Sequence, residues 1–283
     1  MPPSSPQPLA GRVALITGAN TGIGLITARE LVSQGAHLFV ACRSVKRAQA
    51  ALPRILAANT DAQVELLPLD LGDFDSVRQC AQTFLARDLP LHLLVNNAGL
   101  AGQRGLTKSG FELAFGVNHM GHFLLTQLLL DRIRSSAPAR IVTLASRAHY
   151  RAPGIDWAAV RRPTATRLAF AEYSVSKLAN VLFSAELGRR LAGSGVTSYA
   201  VHPGVVVSDL WRSVPWPLRG LIKLAMISAE EGAATTLYCA SSLEVAHETG
   251  LYYDKCRART PSRVARDAPL AQALWQHSED WLR

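Results

Sequence analysis

Seven short apolar runs recur along this 283-residue chain, with helix-period segments between them. The runs are Val13–Thr17, Leu38–Ala41, Val64–Leu67, Leu91–Val95, Arg140–Ala145, Thr197–Val201 and Leu251–Tyr253. The connecting segments Gly22–Gln34, Val45–Ala57, Asp73–Arg87, Ser109–Arg134, Glu172–Leu191 and Glu230–Ser241 each carry an apolar stripe suited to packing on a sheet. A strand that returns parallel to its predecessor needs a crossover, and a helix supplies it. The repeated alternation predicts an α/β fold: a Rossmann-type, doubly wound parallel sheet of about seven strands with helices on both faces. No repeat or linker divides the chain, so residues 11–283 read as a single domain behind a Pro-rich tail, 1–10, expected to be disordered. Irregular stretches at about 147–171 and 205–227 follow strand ends, where sites collect.

Composition narrows the function classes. Hydrophobic residues at 48% and charged residues at 18% support a buried core. No apolar run is long enough to span a bilayer, and Met1-Pro2-Pro3-Ser4-Ser5-Pro6 lacks the basic and apolar regions of a secretory signal. Cys42, Cys80, Cys239 and Cys256 are far apart and form no Cys-x-x-Cys pair, so neither a disulfide framework nor a zinc site is expected. A reducing, cytoplasmic location is the resulting expectation. His119, His122, His149 and His202 show no spacing with carboxylates or thiols typical of a metal site, and no metal is expected. The net charge is +9. Its basic residues are scattered, with small groups at Arg43/Lys46/Arg47 and Arg257/Arg259/Arg263/Arg266, and no stripe alternates with stacking aromatics. An anionic small molecule is therefore expected rather than nucleic acid.

Thr17-Gly18-Ala19-Asn20-Thr21-Gly22-Ile23-Gly24 stands directly between the first strand and the first helix. Glycines there let the backbone approach a pyrophosphate, and the helix N-terminus offers it free N–H groups. Alone, the motif also fits a turn without a ligand. The second strand ends in Ala41-Cys42-Arg43-Ser44, with no acidic residue to accept from the ribose hydroxyls of NAD. Arg43 instead offers a donor fork to a 2′-phosphate, with Asn20 and Ser44 as neutral donors, so NADP (NADPH) is the expected cofactor. In Tyr173-Ser174-Val175-Ser176-Lys177, residues four apart share a helix face, and an ammonium beside Tyr173 would lower its pKa toward use as an acid/base. A half-buried tyrosine with a snorkelling lysine also fits that spacing. Ser146, Asn96-Asn97-Ala98-Gly99 and Asp70 end three further strands. Each could be a turn or cap residue, yet all fall where open α/β sheets bind ligands.

Taken in order, these residues resemble the short-chain dehydrogenase/reductase family from about Gly11 to Tyr253. Ala41-Cys42-Arg43-Ser44 and the lengthened segment from Ser146 to Tyr173, around His149 and Trp157, resemble its retinol dehydrogenase-like branch. The resemblance implies a catalytic tetrad of Asn118, Ser146, Tyr173 and Lys177. Tyr173 would donate the proton in reduction, Ser146 would polarise the carbonyl, Lys177 would bind the nicotinamide ribose and tune Tyr173, and Asn118 would hold a water. By the same resemblance Gly18, Asn20, Gly22, Ile23 and Gly24 face the pyrophosphate, Asp70 the adenine and Asn97 the nicotinamide-side ribose, with Thr21, Leu71, Ala98 and Gly99 also at the cofactor. Pro203, Gly204, Val206 and Ser208 would pass beside the carboxamide; Ser208 stands where the family usually has Thr and keeps the hydroxyl.

A homodimer or homotetramer is also implied. Animal members of the branch often carry an N-terminal membrane anchor; none is seen here, and a soluble enzyme is expected. The expected activity is NADP-dependent hydride transfer between nicotinamide and a lipophilic aldehyde or ketone, or the corresponding alcohol, with His149, Trp157, Trp211 and Trp216 at the substrate. An NADP-binding redox sensor or scaffold without turnover is the alternative, and the intact tetrad argues against it.

Overall fold

A computed structural model describes residues 7–204 and 228–283. Its strands are β1 (Val13–Thr17), β2 (His37–Cys42), β3 (Val64–Pro68), β4 (Leu93–Asn96), β5 (Ala139–Leu144), β6 (Val196–His202), β7 (Leu251–Asp254) and β8 (Arg257–Arg259). They form one sheet in the order β3-β2-β1-β4-β5-β6-β7-β8, parallel throughout except for the antiparallel β7/β8 pair. The main helices are α1 (Gly22–Ser33), α2 (Val45–Leu56), α3 (Phe74–Leu85), α4 (Leu113–Phe115), α5 (Gly121–Ser135), α6 (Phe170–Arg190), α7 (Ala229–Ser241) and α8 (Ala268–Asp280).

Strand side chains alternate between two buried faces. Val13 and Leu15 of β1 and Phe39 and Ala41 of β2 pack with α3 and α5, whereas Ala14, Ile16, Leu38 and Val40 pack with α1, α2 and α7. That two-sided burial is why the strands read as continuous apolar runs. Leu9 is buried against the second face and its N–H donates to the Gln34 carbonyl, so Gln7–Ala10 are docked rather than part of a disordered tail.

The eighth strand adds one to the seven expected. Arg257-Ala258-Arg259 is wholly exposed and has no apolar pattern; it pairs because Lys255 and Cys256, both at positive φ, fold it back on β7. α8 was likewise not expected. It begins at Asp267, whose carboxylate accepts from Leu270 N–H, and buries Ala271, Leu274, Trp275 and Ser278. The single helix expected over Ser109–Arg134 is instead broken. Glu112 caps α4 by accepting from Phe115 N–H, a π turn spans Gly116–Met120, and α5 follows. π turns inside helices mark functional sites often enough that Asn118, at the centre of this one, stands out. Among the described residues no helix is long and apolar enough to cross a membrane.

Candidate active site

Strand order reverses between β1 and β4, which leaves a crevice at their carboxyl ends. A cavity of about 600 Å³ opens there. Its wall contains Gly18, Asn20, Thr21, Gly22, Ile23 and Gly24 after β1, Arg43 and Ser44 after β2, and Asp70 and Leu71 after β3. Asn97, Ala98 and Gly99 follow β4, α6 contributes Tyr173 and Lys177, and Pro203 follows β6. Gly204 follows Pro203 at φ +87 but is not in the wall. Val206, Ser208, Trp211 and Trp216 lie outside the described residues.

The cradle has no room for side chains at two glycines. A Cβ on Gly18, whose φ is +70, would fall 2.8 Å from Ala98 Cβ, and one on Gly24 would fall 2.5 Å from both Asn97 Nδ2 and the Gly18 carbonyl oxygen. The two turns are also stitched together. Thr17 Oγ1 accepts from the N–H groups of Asn97 at 3.0 Å and Ala98 at 2.9 Å, and Asn97 Nδ2 donates to the Thr17 carbonyl at 2.7 Å. The Asn97 amide thus shapes the cradle from behind, a structural duty beyond the ribose contact expected of it. The Asp70 carboxylate likewise accepts from Gly72 N–H at 2.9 Å.

One end of the cavity is basic. Ser44 caps α2, its Oγ accepting from Arg47 N–H at 3.3 Å, and the exposed Arg43 and Arg47 both line the wall. Arg47 enters the sequence reading only as part of a small basic group; its place in the first turn of the helix after β2 was the available signal. The first turn of α2 holds no acidic residue and instead carries Lys46 and Arg47. Cations at the positive end of a helix dipole oppose it, and an anion between them relieves that opposition.

At the other end lies the tyrosine–lysine pair. Lys177 Nζ is 5.8 Å from the Tyr173 ring centre and donates to the Leu144 carbonyl at the end of β5, at 2.8 Å. Burial brings the Lys177 pKa down to about 7. Burial also raises Tyr173 above the ordinary phenol value, with the Ser146 hydroxyl pulling the other way. The lowered tyrosine pKa expected from the spacing is therefore reversed. Desolvation of the phenolate outweighs the Ser146 hydrogen bond, and helix spacing does not report that burial. Ser146 itself accepts from Ala148 N–H at 3.2 Å and starts the 3₁₀ turn Arg147–Arg151.

Asn118 is fully buried behind the wall. Its Oδ1 accepts from Leu100 N–H at 2.9 Å, and its Nδ2 donates to the Leu100 carbonyl at 3.0 Å and to Ser176 Oγ at 2.9 Å. Ser176 in turn donates to the Tyr173 carbonyl at 2.8 Å, so Asn118 ties the turn after β4 to the helix that carries Tyr173. Ser176 was not singled out from the sequence, where nothing but its place between Tyr173 and Lys177 marked it.

Two residues expected at the substrate are held by neighbours from the C-terminal region. His149 is buried, with Nδ1 2.7 Å from the Ser146 carbonyl and Nε2 accepting from Ser262 N–H at 3.2 Å. Trp157 stacks on His277, ring centres 4.3 Å apart, and packs near Trp281. Neither is in the cavity wall. Their aromatic character serves the anchoring of the segment after β5 to the C-terminal region. Among the described residues no cluster of His, Cys, Asp or Glu could hold a metal ion.

A cradle closed to Cβ atoms at two glycines and a tyrosine–lysine pair at the far end of the same cavity together fit a dinucleotide. A family model described as short chain dehydrogenase matches residues 12–216. Retinol dehydrogenase 12 of Homo sapiens is 46% identical over 275 residues, covering 95% of this chain and 86% of that protein. The WW domain-containing oxidoreductase of Danio rerio is 41% identical over 283 residues, covering 96% of this chain and 69% of that protein. Among solved structures, an uncharacterized protein from Mycobacterium Paratuberculosis superposes with a TM-score of 0.78 at 36% identity, covering 98% of this chain and 94% of the other. The Pseudomonas aeruginosa RhlG/NADP active-site complex superposes with a TM-score of 0.72 at 26% identity, covering 92% and 99%. With the family model matching residues 12–216 and retinol dehydrogenases 43–46% identical over most of the chain, this protein is an oxidoreductase that belongs to the short-chain dehydrogenase/reductase family, on its retinol dehydrogenase-like branch.

Proposed function

We propose that this protein is an NADP-dependent reductase of lipophilic aldehydes or ketones, reversible as an alcohol dehydrogenase. The observation that carries the proposal is the polarity of one cavity: Arg43, Ser44 and Arg47 at one end, and Tyr173 with Lys177 at the other. A 2′-phosphate would be met by the two guanidinium groups and the α2 N-terminus, with no carboxylate at the end of β2 to repel it. Gly18, Gly24 and their neighbours would admit the pyrophosphate, while Lys177 and Gly99, whose added Cβ would fall 3.6 Å from Lys177 Nζ, would meet the nicotinamide ribose. Bound NADPH would supply the hydride.

The protein's own residues would handle the proton. Tyr173, held as a neutral phenol by burial, would present its hydroxyl proton to the substrate oxygen as the carbonyl carbon is reduced. Ser146, beside the phenol, would donate to the same oxygen. Asn118 and Ser176 would hold the Tyr173 backbone in place. An apolar substrate is favoured by Leu100, Ala101, Val117 and Ala145 in the wall and by the retinol dehydrogenase names of similar proteins.

The test is NADPH oxidation with aromatic, medium-chain and isoprenoid aldehydes, with NADH and Tyr173→Phe in parallel. Turnover with NADPH that falls about 10²- to 10⁴-fold in Tyr173→Phe, while NADPH affinity is unchanged, is expected. Tight NADPH binding without reduction of any aldehyde would make the protein a cofactor sensor instead.

A further inference from the structure

Behind the cavity wall, between the Gly-rich turn and Asn118, lies a buried histidine that the chemistry above leaves unused. His122, in the first turn of α5, is 1% exposed. Its Nε2 is 2.8 Å from Thr17 Oγ1, and its Nδ1 is 3.1 Å from the Asn118 carbonyl oxygen. Counting donors places the protons. Thr17 Oγ1 already accepts two N–H groups, from Asn97 and Ala98, and a hydroxyl has two lone pairs and one proton. Its proton therefore goes to Nε2 of His122. The ring proton is then on Nδ1, which donates to the Asn118 carbonyl. Burial keeps the His122 pKa at about 4, so the ring is neutral at neutral pH, as this arrangement requires.

An unbroken series of hydrogen bonds thus runs from the backbone of the cofactor cradle through Thr17 and His122 to Asn118. The Asn118 side chain continues it to Ser176 and the Tyr173 backbone. We propose that His122 is a positioning residue that couples the turn closing the cofactor cradle to Asn118, through one fixed imidazole tautomer.

The kinetic consequence rests on the proposed reductase reading; the tautomer does not. Two substitutions separate the ends of the ring. His122→Gln can reach Thr17 with its amide oxygen but releases the Asn118 carbonyl. His122→Asn can keep a donor to Asn118 but releases Thr17. Single-turnover hydride transfer is expected to slow about tenfold in His122→Gln, with NADPH Kd within about twofold of wild type. In His122→Asn, Kd should rise about tenfold, with the rate at saturating NADPH within about twofold. Thr17→Ser, which keeps the hydroxyl, should match wild type in both. Variants that lose thermal stability while both constants stay at wild-type values would reduce His122 to packing and overturn the proposal. If the wild-type protein reduces no aldehyde, the reductase reading fails separately, and imidazole ¹⁵N NMR decides this one: the Nδ1–H tautomer supports it and the Nε2–H tautomer overturns it.

Discussion

The turn after β4 and the long segment after β5 leave the sheet side by side, yet they are held in opposite ways. Asn96–Leu100 is gripped by groups of the site itself: Thr17 holds the Asn97 and Ala98 N–H groups, and Asn118 holds both backbone groups of Leu100. The segment that starts at Arg147 is gripped from outside. Arg147 pairs with Asp254 at 2.6 Å, Tyr150 donates to the Thr260 carbonyl at 2.6 Å, His149 accepts from Ser262 N–H, and Trp157 stacks on His277. The first wall is made of motif residues that satisfy one another. The second holds Arg147, His149, Tyr150 and Trp157 against chain about a hundred residues further on, and Ser146 stands at its root.

The contrast is broken most forcefully at two glycines. Gly24→Ala puts a methyl group 2.5 Å from the Gly18 carbonyl oxygen and from Asn97 Nδ2, whereas Gly154→Ala, in the segment after β5, meets nothing within 4 Å. Fluorescence titration should show NADPH affinity lowered about 10- to 100-fold in the first and changed less than about twofold in the second. Equal losses would mean that the cradle is not the stiffer wall.

A smaller effect sharpens the same difference through pH. Lys177, on the cavity side, has its pKa lowered to about 7 by burial, against about 10.4 for a free lysine. Between those values the unfolded chain binds the extra proton, so stability without cofactor should rise with pH across that window and be flat in this respect below it. Lys177→Met removes the contribution. Urea unfolding at pH 7 and pH 9.5 should show wild type gaining about 1–3 kcal/mol relative to the variant. A constant difference would place a charged lysine in the folded protein at neutral pH.

Legibility in the sequence follows the same division. The cradle could be read because its chemistry is local: a strand, a glycine turn and a helix in one continuous stretch, with Arg43 and Ser44 at the next strand end. Tyr173 and Lys177 were legible because helix geometry alone puts them on one face. Asn118 entered only through the family resemblance, and the π turn around it was not expected, since a change of helix hydrogen-bond pattern leaves no composition signal. β8 and α8 were missed because one is all charge and alanine and the other is defined by partners, Phe123 and Phe183 against Trp275, that only the fold brings together. The direction of the Tyr173 pKa was misjudged for a related reason: spacing reports the nearby lysine but not how deeply both groups are buried.

Trp157 gives the mildest and most discriminating test. Its position in the insert between Ser146 and Tyr173 made it look like a substrate residue, and its size suited an apolar ligand. Its ring, however, rests on His277 and near Trp281, joining the insert to α8 and the end of the chain. Trp157→Ala should therefore cost about 1–3 kcal/mol of stability, as for a partly buried aromatic, and lower Tm by several degrees. kcat/KM for an apolar aldehyde should stay within about twofold, because no transition-state contact is lost. A tenfold rise in KM at unchanged stability would instead put the ring against substrate, and the two walls would then share in binding rather than divide the work between chemistry and support.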